Sequence, residues 1–343
     1  MQIDHLPGRS LQYQGEEWLY FSGTAYLGLA RHPTFLNNLQ EGFRRYGANF
    51  GGSRLSNMQL AIYQEAESFL AEWLGMSAVL TTSSGSLAGQ LLIKYLETQG
   101  PCHCSPATHP AMIGQTSPFM GSYQDWIDHI LFLSAEHQGV IQLVTSSVDA
   151  LCAQLYPLDW ITKLPAGNNY RIVIDDSHGL GVLGETGTGV IEVLPQVANV
   201  EYIIMSSMGK ALGTPGGLIA GSETFIQQLW QRAFFGGASP IIPAFLYAYL
   251  SSQEILEEQR RRLAQNIDFV ANALAKDAEV NHIPGHPIFF LKKNHWLPRF
   301  KQNRILISSF PYPKPNDPLI NRIVINAAHT QADLEKLVTL IRD

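Results

Sequence analysis

The chain has 343 residues, 45% of them hydrophobic and 15% charged, and 23 cationic against 29 acidic side chains leave a net charge of −6. That balance excludes a disordered chain and is long enough for two domains. It also argues against nucleic acid as a partner: the one run of three cations, residues 260–262, follows Glu257 and Glu258 on an expected helix and reads as a solvated face.

In chain order, residues 1–30 read as an N-terminal arm with a short strand pair, 11–13 and 18–21, around a polar turn at 14–17. Residues 1–9 lack the apolar core of a signal peptide, and no apolar stretch approaches the ~20 residues that span a bilayer, so a soluble, cytoplasmic protein with no membrane partner is expected. "HPTFLNNLQEGFRRYG" predicts a helix with Leu36, Leu39 and Phe43 on its apolar face. "LAIYQEAESFLAEWLG" predicts another, with a stripe of Ile62, Ala66, Phe69, Leu70 and Trp73 and a C-cap at Gly75.

Strands are then predicted at 78–82, 129–133, 171–174, 202–206 and 217–221, separated by helical segments. Apolar strands alternating with helices imply a mainly parallel sheet covered on both faces. Cys102, Cys104 and Cys152 form a sparse, odd set that suits a reducing compartment, and Cys102-His103-Cys104 has no partner pair at zinc spacing, so no metal site is expected. A long amphipathic helix with a break is predicted over 243–276, then strands at 288–291 and 322–325, and a final helix capped by Thr330 with Asp333 at its third position. The expected fold is α/β: a large domain over 31–242, then a linking helix and a smaller C-terminal α/β domain over 243–343.

The chemistry concentrates in "VIDDSHGLGVLG", residues 173–184, where an apolar strand ends in two aspartates with His178 close behind. Ligands of open parallel sheets sit beyond the carboxyl ends of strands. The next strand also ends in polar residues and runs into "SMGKALGTPGG", where Lys210 stands between glycines. The phosphate-loop pattern G-x-x-x-x-G-K-[ST] fails there, because Ala211 follows the lysine and Ile204 occupies the first glycine's place. The other reading is a Schiff-base lysine, whose amine becomes nucleophilic once burial disfavours its charge. Pyridoxal 5'-phosphate needs an anion at its ring nitrogen, a donor near its phenolic oxygen and a phosphate cradle. Asp175, His178 and the helix opening in "TTSSGSLAGQLLIKYL" supply candidates for each.

These segments, with "AYLGLARHP", "YGANFGGSRLS" and "INAAHT", resemble the α-oxoamine synthase family of fold-type I pyridoxal phosphate-dependent transferases, which includes 8-amino-7-oxononanoate synthases and 2-amino-3-ketobutyrate CoA ligases. The resemblance implies a large domain with a mainly parallel sheet plus a smaller C-terminal domain, and a homodimer that shares its active site. It implies that Lys210 binds the cofactor covalently and later moves the substrate's α-proton, that Asp175 pairs with the ring nitrogen, and that His178 bonds the phenolic oxygen. His109 would stack on the ring; Ser207, Gly85 and Ser86 would bind the phosphate, and Ser239 would reach a neighbouring subunit's phosphate. The implied reaction joins an amino acid to an acyl-CoA or other acyl thioester with loss of CO₂, giving an α-amino ketone.

Three positions depart from the family: Ser86 stands for an aromatic residue, Ser177 for the alanine beneath the ring, and Phe310 for the arginine that holds the amino-acid carboxylate. A phenyl ring cannot replace a bidentate guanidinium. Either Arg54, Arg304 or Arg322 takes over, or the substrate lacks that carboxylate. An aminotransferase or amino-acid lyase is the alternative on the same cofactor, and a non-catalytic relative is the alternative outside catalysis.

Overall fold

The structure, a computed structural model, describes residues 1–106, 108–136, 139–312 and 314–342. The chain opens with strands β1 (Ser10–Tyr13) and β2 (Glu16–Phe21), then helices α1 (Pro33–Tyr46) and α2 (Ala61–Leu74). There follow β3 (Ala78–Thr82), α3 (Gly85–Leu96), β4 (Cys102–Cys104), α4 (Tyr123–Glu136) and β5 (Val140–Ser146). A two-residue ladder, β6 (Val148–Asp149) with β7 (Gln154–Leu155), precedes β8 (Asn169–Asp175), β9 (Val200–Ser207) and β10 (Gly217–Gly221). Helices α5 (Glu223–Trp230), α6 (Ala233–Gly236), α7 (Pro243–Leu250) and α8 (Gln253–Leu274) come next. The chain ends with β11 (Val280–His282), β12 (Ile288–Leu291), α9 (Trp296–Gln302), β13 (Ile305–Pro311), β14 (Leu319–Val324) and α10 (Gln331–Arg342).

One six-stranded sheet has the order β3-β10-β9-β8-β5-β4, with β4, β5, β8 and β9 parallel to one another. The central strands are apolar along their length, as a sheet covered on both faces requires: Ile172, Val173, Ile174, Ile203 and Ile204 are all fully buried. Only β10 is reversed, antiparallel to β9 and β3. The connection from β9 spans 208–216, too short for a crossover, so the chain turns back on itself. Met208 N donates to Gly216 O and Thr214 N to Met208 O, at 2.9 and 3.0 Å, closing that turn. A second sheet, β1-β2-β13-β14-β12-β11, combines the predicted N-terminal strand pair with strands from 280–324, β2 lying parallel to β13.

Two expectations are corrected. Residues 129–133 are helical, inside α4. Their run of apolar residues reads as a strand, but Trp126, Ile127, Ile130 and Ser134 fall on one helical face and are buried, while Phe132 is 66% exposed. The sequence carries the start signal, since Ser122 and Asp125 cap each other reciprocally. The strand of this region is β5. On α1, the buried face is Phe35 and Gly42, one residue round from the expected stripe, and Leu36 and Phe43 are exposed. Gly42 sets that rotation: a Cβ there would lie 2.6 Å from the Ala244 carbonyl oxygen on α7.

The remaining helical expectations hold. Gly75 caps α2 in the left-handed conformation at φ 61°. The long helix breaks at Ser251 and Ser252 into α7 and α8. Thr330 and Asp333 exchange hydrogen bonds at the start of α10. Cys102 and Cys104 are buried on an edge strand, and burial pushes their thiols up to about 12 and about 11. Among the described residues no helix is long and apolar enough to cross a membrane.

Candidate active site

The parallel strands deliver their carboxyl ends to one edge of the first sheet. In register, Ser146 of β5 lies beside Asp175 of β8, and Asp175 beside Met205 of β9, two residues before Ser207. Because β10 runs back, its first residue, Gly217, pairs with both Ser207 and Thr82, the last residue of β3. The turn carrying Lys210 and the loop that opens α3 therefore meet over the same edge. Glycine is required where they touch: a Cβ on Gly217 would sit 2.4 Å from Ser84 O, and one on Gly85 would sit 2.8 Å from Ser207 Cβ.

Two adjoining lobes, of about 290 and 310 Å³, share Lys210, Asp175 and His109 in their walls. The first adds Gly85, Ser86 and Ser207; the second adds His178, Phe310 and Arg322. Lys210 Nζ lies 2.9 Å from His178 Nε2, and burial lowers the lysine's pKa against the opposing pull of Asp175. Burial, followed by the Lys210 charge, holds His178 well below its usual range, so the imidazole is neutral. Tyr26 Oη lies 2.7 Å from His178 Nδ1, and His286 donates its Nε2 proton to the His178 carbonyl at 3.0 Å.

The two aspartates of the strand end are not equivalent. Asp175 faces the lobes and accepts from Ser177 N at 3.0 Å. Asp176 points to the other side, fully buried, where it accepts from Ser147 Oγ and from Val190 N at 2.9 Å. Burial raises its carboxyl to about 7. This alternation is the period of a strand carried one residue past its end.

At the other end of the site, Ser84 caps α3 by accepting from Leu87 N at 3.1 Å, leaving the first amides of the helix facing the lobe beside Ser86 and Ser207. Ser177 Oγ accepts from Ser207 N at 2.9 Å, so this hydroxyl ties the ends of β8 and β9 together, a use that an alanine cannot serve. His109 lines both lobes from an exposed position, its Nδ1 accepting from Ala111 N at 3.1 Å.

Not every candidate converges. Ser239 is exposed and lies outside both lobes. Arg54 is buried in a two-pronged ion pair with Glu67, at 3.0 and 2.8 Å, and packed over Tyr63 and Trp230. Arg304 pairs with Glu16 at the rim of the second sheet. Of the three arginines, Arg322 is the one that lines the lobe: it is 9% exposed, donates to the Ala150 carbonyl at 2.6 Å and lies over the Phe310 ring, and its Nε has no hydrogen-bond partner among the described residues. Sequence reasoning did not single out Tyr26, Asp176 or His286. Tyr26 lies within the quoted "AYLGLARHP", but no periodicity distinguishes it from a core tyrosine.

The residues present fit pyridoxal phosphate. An amine, a carboxylate and an imidazole border one cleft, and a close glycine approach frames a helix start lined with serine hydroxyls at its far end.

The chain matches the family described as aminotransferase class I and II over residues 123–341. It is 28% identical to an 8-amino-7-oxononanoate synthase from Cupriavidus necator, over 94% of this chain and 86% of that protein. It is 30% identical to one from Geobacter sulfurreducens, over 78% of this chain and 71% of the relative. In three dimensions it resembles Sphingomonas wittichii serine palmitoyltransferase, with a TM-score of 0.82 at 18% identity over 96% of this chain and 88% of the other.

Proposed function

The chain belongs to the class I and II aminotransferase family, and on that premise we propose that it is a pyridoxal phosphate-dependent acyltransferase of the 8-amino-7-oxononanoate synthase kind. It condenses an amino acid with an acyl thioester, with loss of CO₂, to an α-amino ketone. The observation that carries the reading is that Lys210, Asp175 and His178 border one cleft at the carboxyl edge of the sheet.

The bound cofactor supplies an electron sink that stabilises negative charge at the substrate's α-carbon. The chain supplies the rest. Asp175, which lines both lobes, would hold the ring nitrogen of the cofactor and keep it protonated. Lys210, its charge disfavoured by burial, would be the covalent anchor of the cofactor and the base that moves the substrate's α-proton. His178 would bond the phenolic oxygen, and His109, which lines both lobes from an exposed position, would cover the ring. Ser207 and the amides at Gly85 and Ser86 hold the phosphate. Arg322 binds the substrate carboxylate. Its guanidinium is buried beside Lys210, retains unused donor capacity and replaces the arginine missing at Phe310.

A homodimer completes the reading. Leu36 and Phe43 of α1, with Leu55, Met58 and Phe234, are large apolar side chains exposed on a single chain. Ser239, exposed and off the cleft, would serve the phosphate of a second copy, as the resemblance implies.

The test is incubation of the purified protein with single amino acids and acyl-CoAs. Thiol release without ketoacid formation supports the proposal; amino-group transfer to a ketoacid overturns it. Borohydride reduction followed by peptide mass analysis locates the covalent link, and a label anywhere but Lys210 rejects the site.

A further inference from the structure

His178 has two ring nitrogens, and its use at the cofactor depends on which one carries the proton. Burial keeps the ring neutral, so there is a single N–H to place. Lys210 Nζ stands 2.9 Å from Nε2, toward the lobe. On the opposite side, Tyr26 Oη stands 2.7 Å from Nδ1. Tyr26 is fully buried, and burial drives its hydroxyl far above the usual range, so it keeps its proton. Among the described residues, Nδ1 is the hydrogen-bond partner of that hydroxyl.

Were Nδ1 protonated, two donors would face each other's oxygen and nitrogen with one acceptor between them, and the phenol proton would be buried without a partner. With the proton on Nε2, both donors are used: the phenol donates to Nδ1, and Nε2–H points at the lobe. The lysine amine stands at that nitrogen, and burial works against its charged form. The main chain of His178 is held as well, because its carbonyl can only accept and does so from His286.

We propose that Tyr26 is a positioning residue that fixes the Nε2–H tautomer of His178, so that this histidine meets the cofactor's phenolic oxygen as a donor. The assignment rests on reading the cleft as a pyridoxal phosphate site. It gives Tyr26 a role at a distance: it touches the imidazole and acts on the ring through it. Donation to the phenolic oxygen stabilises negative charge there, which weakens that oxygen's hold on the proton of the neighbouring lysine linkage. Loss of the donor strengthens that hold.

The experiment uses the full-length protein labelled with ¹⁵N-histidine, free and loaded with cofactor, as wild type and as Tyr26→Phe. NMR of the ring nitrogens reads the His178 tautomer directly, with His178→Gln assigning the signal. The visible-absorbance titration of the loaded protein reads the protonation of the lysine linkage. The expected result is a wild-type proton on Nε2, a shift toward Nδ1–H in Tyr26→Phe, and a titration midpoint raised by about one pH unit. A wild-type proton on Nδ1, or a tautomer and midpoint unchanged by Tyr26→Phe, overturns the proposal. If Tyr26→Phe does not fold, the wild-type tautomer decides alone. A protein that takes up no pyridoxal phosphate rejects the functional reading instead, and the tautomer of the free protein still decides what Tyr26 does to His178.

Discussion

The Arg322 guanidinium lies 5.4 Å from the centre of the Phe310 ring, and the two residues sit on adjacent strands two positions apart in register, since Ser308 is the residue opposite Arg322. The phenyl ring supports a cation supplied by the neighbouring strand. Arg322→Met is therefore expected to weaken amino-acid binding by about 2–3 kcal/mol, roughly 30-fold or more in KM. Binding of the corresponding amine, which lacks the carboxylate, should be nearly unchanged. Steady-state kinetics with the amino acid, beside spectral titration with the amine, check this. Restoring a guanidinium from the other strand, with Phe310→Arg in the Arg322→Met background, should recover part of the loss.

Acid sensitivity has two opposed sources. His286 and His329 are both held down to about 4 by burial. Each is neutral when folded and protonates near 6.5 when unfolded, so each withdraws stability as pH falls from 6.5 through 4, up to about 3 kcal/mol. For His329 the cause is visible: its Nδ1 accepts from Asn326 N at 3.0 Å, and a proton there removes that bond. Asp176, raised to about 7, has the reverse sign; its contribution is full below its unfolded pKa and is lost as pH rises through 7. Thermal melting between pH 4 and 7 should show a shallower acid-side loss in His329→Gln and a steeper one in Asp176→Asn.

Gly42 is a packing residue rather than a flexible one. Gly42→Ala adds a methyl that meets the α7 backbone at Ala244, where nothing can rotate away. Overpacking of this kind costs about 1–3 kcal/mol, more than the helix propensity gained from alanine. The melting temperature should fall by several degrees, and α1 should be displaced from α7. A rise in melting temperature would show that the close approach is relaxed in solution.

The apolar patch on α1 has a separate readout. Leu36→Glu combined with Phe43→Glu places two charges on an exposed face and leaves the buried residues Phe35 and Gly42 untouched. Light scattering should report a dimer for the wild type and a monomer for the variant, with weaker retention of pyridoxal phosphate in the monomer.

What the sequence made legible follows from how local each signal is. The strands 78–82 and 217–221 are read to the residue because apolar runs end at glycine or polar breaks. Asp175, His178 and Lys210 are legible because strand ends on a parallel sheet share an edge. The error at 129–133 arose where a buried helix face and a strand give the same apolar run, and a reciprocal serine–aspartate cap was the deciding clue. The choice among Arg54, Arg304 and Arg322 was closed to sequence reasoning. Each is a lone arginine in the text, and only the pairing of Arg54 with Glu67 and of Arg304 with Glu16 removes them. Tyr26 was hidden for the same reason: it is 152 residues from the imidazole it meets.

The opposite orientations of Asp175 and Asp176 make the length of β8 a functional quantity. Inserting a single residue between positions 169 and 174 would set Ile174 where Asp175 faces the cleft, whereas deleting one would set Asp176 there and leave Ser177 where a carboxylate accepts from Val190 N. An insertion would cost the chemistry its anion, and a deletion would cost the fold its buried carboxylate. The residue count of this strand is therefore constrained by the site as well as by the core.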